Sequence, residues 1–489
     1  MKQLAGLDAS FLFLETPEMP MHVGALHVLE LPPGFQGSYL DALRAHIAKR
    51  LPYLAPLRRR LASVGLNVVT PAWVDAEPDL TQHIVPVSLP PGSGIAALEE
   101  AVGRLHPVLL DRSRPLWKFH VFEQLSPAPD GSTRVALYTQ VHHAAVDGQA
   151  AVALAAVMLD LGPVPRELPE KPKRQRHEPG TLALMRGALA HQWQQYVKLA
   201  KALPAAIGTL ASLAGETLGQ AVADRAGGLS QRLRGHTPEG VSQLRLAPRT
   251  RLNRSIGSSR AFASVSLPLA DIHAARQRHG ASLNDAVLMM CGSALRRSFL
   301  DWGELPKKPL IAAVPVSLRA EGDASSNNQA TMTTVSLGTH IADPKKRWAH
   351  VLAASRNMKS SLGHLKDLMP LDFPSLGLPW LMAGAARLYG KAHVAEKIPV
   401  LANLVISNVP GPRQALYLAG ARMLSNAPTS IVVHGLALNI TVQSYGDSLE
   451  FGLIACGEAM PDVAALARHL RAAFKEFQAL PPVASATGD

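Results

Sequence analysis

The chain has 489 residues, too many for one ordinary core, so two domains of roughly 150 to 250 residues are expected. Apolar residues make up 47% and charged residues 18%, a globular composition, and the two cysteines, Cys291 and Cys456, exclude a disulfide scaffold and a CxxC metal site. The net charge of +12 calls for an anionic partner, whether nucleic acid, acidic phospholipid or a phosphate-bearing small molecule.

In chain order, the opening MKQLAGLDASFLFLETPEMP is broken by Asp8 and Glu15 and makes a poor signal peptide. MHVGALHVLEL (21–31) reads as a strand closed by Pro32-Pro33. SYLDALRAHIAKRL (38–51) spaces Leu40, Leu43, Ile47 and Leu51 for a helix, with Ser38 as N-cap. LNVVTPAWV (66–74) and STRVALYTQV (132–141) read as strands. Ala150 to Asp160 continues as a helix that is apolar nearly all round, which predicts burial.

From 163 to 180 the text PVPRELPEKPKRQRHEPG is a solvated linker, and 181–235 reads as one or two helices rich in Ala and Leu. Further on, LIAAVPVSLR (310–319), LANLVISNVP (401–410) and the hairpin 436–456, turning at Gly446-Asp447, are strands. PDVAALARHLRAAFKEF (461–477) closes the chain as an amphipathic helix with Pro461 in its first turn. No segment has the apolar length that crosses a bilayer. The expected division is 1–170, a linker 171–250, and 251–489.

The stretch TQVHHAAVDGQAAVALAAVMLD (139–160) carries the chemistry. His142 and His143 end a strand, and Asp147-Gly148 opens the helix behind them. A strand-end histidine with a pKa near working pH suits a general base, worth about 10²–10⁴ in rate. The spacing matches neither His-Glu-x-x-His nor any familiar zinc cluster, so no metal site is expected. Asp147 reads as a helix cap, an arginine partner or a proton relay, and Gly148 lets backbone approach closely at the turn. No nucleic-acid motif or aromatic-basic interleaving accompanies the charge, so nucleic acid is not expected as a partner.

HHAAVDG resembles the HHxxxDG signature of the CoA-dependent acyltransferase superfamily, the chloramphenicol acetyltransferase-like fold. More narrowly, the chain resembles the bacterial wax ester synthase/acyl-CoA:diacylglycerol acyltransferase family. The matching blocks are LDASFLFLETPEMPMHVGAL (7–26), LDRSRPLW (110–117), SLNDAVL (282–288), PVSLR (315–319) and SNVPGP (407–412). SSNNQATMTTVSL (325–337) departs from the family's Gly-Asn stretch, with Asn327-Asn328 in its place.

The resemblance implies an α/β protein of two chloramphenicol acetyltransferase-like halves, each a mixed sheet packed with helices, with an active-site tunnel between them. It implies His143 as general base and His142 as its less essential neighbour. The base would deprotonate a long-chain alcohol or diacylglycerol hydroxyl for attack on the thioester of a fatty acyl-CoA, a co-substrate, with no bound cofactor. Asn284 is either the oxyanion donor or a helix cap, and Asp285 a first-turn helix residue or salt-bridge partner. Asp147 resembles the superfamily's structural aspartate, with Arg319 as a candidate mate. Pro115, Leu116 and Trp117 either pack in a turn or shape an acyl tunnel, and Ser407, Asn408, Pro410 and Gly411 suit a tight loop near the cleft. Two other readings share the fold: a condensation-type acyltransferase and a catalytically silent lipid-binding protein. The basic run 170–180 and the 181–235 region predict peripheral contact with an anionic membrane or lipid droplet, on the cytoplasmic side.

Overall fold

The computed structural model describes residues 2–4, 6–62, 71–146, 148–169, 246–317, 330–366 and 392–481, with isolated positions 171, 180, 186, 190, 384, 388 and 390. The first part of the chain contributes β1 (Lys2–Gln3), β2 (His22–Glu30), β3 (Arg59–Ala62), β4 (Ala72–Asp75), β5 (Ile84–Pro86), β6 (Trp117–Phe122) and β7 (Arg134–His142). Then follow β8 (Arg260–Pro268), β9 (Ile311–Ser317), β10 (Ala330–Ser336), β11 (Leu404–Val409), β12 (Tyr417–Leu418), β13 (Ala421–Thr429), β14 (Leu438–Tyr445) and β15 (Ser448–Cys456). They assemble into two six-stranded mixed sheets, ordered β12-β13-β2-β7-β6-β5 and β10-β9-β11-β14-β15-β8, plus a small sheet β1-β4-β3.

Alternation along β2 builds the first lobe. Leu29 faces a core with Tyr39, Leu43 and Ile47 of the helix Tyr39–Arg50 and with Leu154 and Met158 of the helix Gly148–Met158. Leu26 faces the other way, toward Leu98 and Val102 of the helix Ile95–Leu105 and toward Phe262, Ile454 and Cys456 of the second sheet. The second sheet in turn packs on the helices Leu269–Gln277, Leu283–Asp301 and Val463–Ala479.

The sheets do not divide strictly in chain order: the first sheet takes two strands, β12 and β13, from beyond residue 251. β13 pairs antiparallel with β2 from Arg422↔Glu30 to Thr429↔Gly24, so the first sheet is completed by residues from the far end of the chain. The two sheets meet where β13 crosses β15. A Cβ on Gly452 would lie 1.6 Å from the Pro428 carbonyl oxygen, so only glycine fits that crossing.

Three sequence expectations are corrected. The helix Gly148–Met158 is not buried all round: Leu154 and Met158 are, but Ala151, Val152 and Ala153 face outward, Val152 being 66% exposed. Asp462, not Pro461, begins the last helix, its carboxylate accepting from the Ala465 N–H at 2.8 Å. Ser282, not Asn284, caps the helix Leu283–Asp301. The segment 171–245, read as linker and helices, lies outside the described residues apart from four isolated positions.

Candidate active site

Strand pairing carries both histidines to the end of β7. Register places His142 opposite His22 of β2. On the β6 side the His142 N–H donates to the Leu116 carbonyl at 2.9 Å, and on the β2 side the His143 N–H donates to the Met21 carbonyl at 2.8 Å. The chain then turns, with the Ala145 N–H donating back to the His142 carbonyl at 2.9 Å.

The His142 side chain is fully buried, with Nδ1 hydrogen-bonded and Nε2 facing only a carboxylate at ion-pair distance, without a well-aligned hydrogen bond. Nδ1 accepts from the Ala144 N–H at 3.1 Å. A backbone amide can only donate, so in the neutral ring the proton resides on Nε2, which stands 3.2 Å from Glu15 Oε1. Glu15 is itself buried and further held by the Met21 N–H at 3.1 Å and by Arg112, whose Nε and Nη2 donate to Oε2 at 3.1 and 2.8 Å. Burial alone would push this carboxyl up, but His142, Arg112 and the Met21 amide outweigh it and hold it at about 2. The half-buried His143 ring stacks on Phe11, which projects from the helix Gly6–Leu14: the centroids are 4.0 Å apart and the planes 17° apart.

Behind the pair, the inner face of the first sheet carries more imidazoles. His22 Nε2 donates to the His106 carbonyl at 2.5 Å, and His120 Nε2 lies 2.8 Å from Gln140 Oε1. His106 bonds Ser430 O through Nε2 at 3.0 Å and the Tyr138 hydroxyl through Nδ1 at 2.6 Å. Burial pulls His22 and His120 down to about 4 and His106 well below its usual value, so these three rings are uncharged at neutral pH. Among the described residues no group of three or more His, Cys, Asp or Glu is placed to hold a metal ion.

The other sequence candidates are placed as follows. Leu116 acts through its backbone carbonyl on His142, while its side chain packs with Leu12 and Ala144. Trp117 is a core residue and not a tunnel wall: it is 2% exposed, donates from Nε1 to Leu57 O at 3.0 Å and stacks on His83 at 4.4 Å. Pro115 precedes it in the turn entering β6. Asp285 is occupied by its own helix start, Oδ2 accepting from the Ser282 N–H at 2.9 Å and Oδ1 from the Ser355 hydroxyl at 2.5 Å, so its carboxylate serves structure and not substrate. Asn284 precedes it in the first turn of that helix, half-buried. Asn408 sits on β11 of the second sheet, opposite Val442. Gly148 opens its helix, whereas Asp147 and Arg319 lie outside the described residues. Phe11, Glu15 and Arg112 were given no role by the sequence. Their only signals are an acid following the apolar run FLFL within the 7–26 block and an arginine within the LDRSRPLW block at 110–117.

The chain matches the wax ester synthase/diacylglycerol acyltransferase catalytic domain over residues 4–287 and the WS/DGAT C-terminal domain over residues 326–478. It is 36% identical to a putative diacylglycerol O-acyltransferase of Mycobacterium tuberculosis CDC 1551 / Oshkosh, over 97% of this chain and 99% of that protein. The solved wax ester synthase/diacylglycerol acyltransferase from Marinobacter aquaeolei VT8 is 30% identical, covering 98% of this chain and 99% of its own, with a TM-score of 0.66. The first condensation domain of the calcium-dependent antibiotic synthetase superposes with a TM-score of 0.50 at 16% identity over 99% of this chain and 98% of its own, a likeness of fold alone. A strand-end histidine pair between two mixed sheets thus agrees with the whole-length matches: the chain is an acyltransferase and belongs to the wax ester synthase/diacylglycerol acyltransferase family.

Proposed function

We propose that the chain moves a long-chain fatty acyl group from acyl-CoA to the hydroxyl of a diacylglycerol or fatty alcohol, with His143 as general base. The observation that carries this is the unequal state of the two histidines. His142 has its Nδ1 lone pair engaged by the Ala144 N–H, and in the neutral ring its Nε2 carries the proton, 3.2 Å from Glu15, so it has no lone pair to offer a substrate. His143 follows it on the turn, half-buried against Phe11. His143 takes the hydroxyl proton as the oxygen attacks the thioester carbon, and the thiolate of CoA leaves, so no covalent acyl-enzyme is needed. The thioester is already activated, and the protein's main task is to align two long substrates. Acyl-CoA is thereby a co-substrate and no bound cofactor takes part.

Asn284 is the proposed oxyanion donor. Support comes from the helix start, where Ser282 fills the cap position and leaves the Asn284 amide unspent there. Peripheral contact with an anionic membrane or droplet surface is proposed from the charge of +12 and from Val152 and Leu161, on and just beyond the helix Gly148–Met158, which are 66% and 71% exposed. No helix among the described residues is long and apolar enough to cross a membrane. Flotation with phosphatidylglycerol liposomes tests the contact, and binding unchanged by Val152→Ser/Leu161→Ser would remove those residues from it.

The chemistry is tested by CoA release from palmitoyl-CoA with hexadecanol or dioleoylglycerol as acceptor. Acceptor-dependent release that collapses in His143→Ala is expected, and the ratio between the acceptors ranks them. No release with either acceptor would sink the assignment of substrates.

A further inference from the structure

The loop that serves the histidines is gripped from the other lobe. Thr16 and Met19 exchange backbone hydrogen bonds of 3.3 and 2.9 Å, closing a tight turn with Pro17 and Glu18 at its tip. The two limbs of this turn each hold one histidine: the Glu15 carboxylate meets His142 Nε2, and the Met21 carbonyl accepts from the His143 N–H.

Arg260 is the first residue of β8, the edge strand of the second sheet. Its Nη2 donates to the Glu18 carbonyl at the tip of that turn, and its Nη1 donates to Gly257 O and Ser259 O at 2.7 and 2.9 Å. The residue is 7% exposed; its hydrogen bonds go to backbone carbonyls, while Glu458 and Glu18 favour its charge from longer range. Burial pulls its guanidinium down to about 10, which leaves it charged at neutral pH. A buried guanidinium whose hydrogen bonds all go to carbonyls resists losing one of them, so the Glu18 carbonyl is held in place. Arg260 has little room to drift itself: a Cβ on Gly103 of the helix Ile95–Leu105 would stand 2.9 Å from the Arg260 carbonyl oxygen.

We propose that Arg260 is a positioning residue for acyl transfer, acting on the histidine pair through the Glu18 carbonyl and the Thr16–Met19 turn. This rests on His143 being the base. The second lobe, by this route, does more than cover a cleft: its edge strand sets the geometry of the base carried by the first.

The test is a double-mutant cycle of Arg260→Lys with Glu15→Gln, read by steady-state CoA release. Lysine keeps the charge but cannot span three carbonyls. Arg260→Lys should lower kcat by about 10- to 100-fold, the range expected for a misplacement near 1 Å, with KM for both substrates little changed. The double variant should be no slower than the slower single one, because both act through one turn. Multiplying losses, a loss confined to KM, or full activity in Arg260→Lys would each overturn the proposal. If Arg260→Lys does not fold, Gly103→Ala displaces β8 without touching a charge, and the same non-additivity with Glu15→Gln is required of it. His143→Ala run alongside separates the two claims, since activity surviving there refutes the base itself whatever Arg260 does.

Discussion

At the residue scale, Glu15 shows how a buried charge is kept at a reactive site. Its carboxylate accepts from an amide and from Arg112 and faces an imidazole, and these together outweigh the cost of burial. Glutamine is isosteric but neutral, so Glu15→Gln should still fold while its grip on His142 loosens, and kcat should fall by about tenfold or more. The folded carboxyl lies near 2, below its unfolded value, so its contribution to stability is complete above pH 4.5 and lost as the pH falls toward 2. Urea unfolding across that window should therefore show a shallower decline in Glu15→Gln than in the parent protein. Asn284→Ala should cost about 10²–10³ in kcat if its amide meets the oxyanion, measured as CoA release with melting temperature held as control. A change below about threefold would return the role to another donor.

At the scale of elements, caps and crossings were unevenly visible. Ser38 and the Gly446-Asp447 turn could be read directly, because a cap or a tight turn is local chemistry, and the structure places them as read, with Gly446 at φ 53°. The helix Leu283–Asp301 was also legible, but its cap is Ser282, two residues before the Asn284 that was weighed for that place. Ser282→Ala breaks the reciprocal box with Asp285, and should cost about 1 kcal/mol of stability while leaving kcat within about twofold. Differential scanning calorimetry beside the CoA assay checks both halves of that statement. The helix Gly148–Met158 was misread because a hydrophobic sequence reports what a residue is and not whether a neighbour covers it. Gly452→Ala drives a Cβ into the Pro428 carbonyl, so it should destabilise by about 2 kcal/mol or more, visible as a lower melting temperature.

For the whole molecule, the buried imidazoles make folding sensitive to mild acid. His22 and His120 sit near 4 when folded and near 6.5 when unfolded, so between those values the unfolded chain binds more protons. Stability therefore falls as the pH drops from about 6.5 to about 4, by up to on the order of 3 kcal/mol for each group. Equilibrium unfolding at pH 7.5, 6 and 5 should show this slope, and His120→Gln should flatten it. The strands lent to the first sheet have their own consequence: a fragment ending at residue 250 lacks β12 and β13, leaving the β2 edge bare. Such a fragment should aggregate or remain loosely folded by circular dichroism, and refolding with 251–489 should recover activity.

The sequence by itself determined the family, the alternation of strands and helices, and the histidine pair at a strand end, because these are carried by short, contiguous patterns of residue type. It also supplied the segment containing Phe11 and Glu15, without their task. Only the tertiary structure decided that Glu15, nearly 130 positions before His142, stands against that ring, that Trp117 is core, that β13 completes the sheet of the opposite lobe, and that Arg260 reaches the loop beside the histidine pair. Each of these depends on which groups meet across long stretches of chain. A buried charge or lone pair is settled by its partner, and the partner is chosen by packing, which no local pattern encodes.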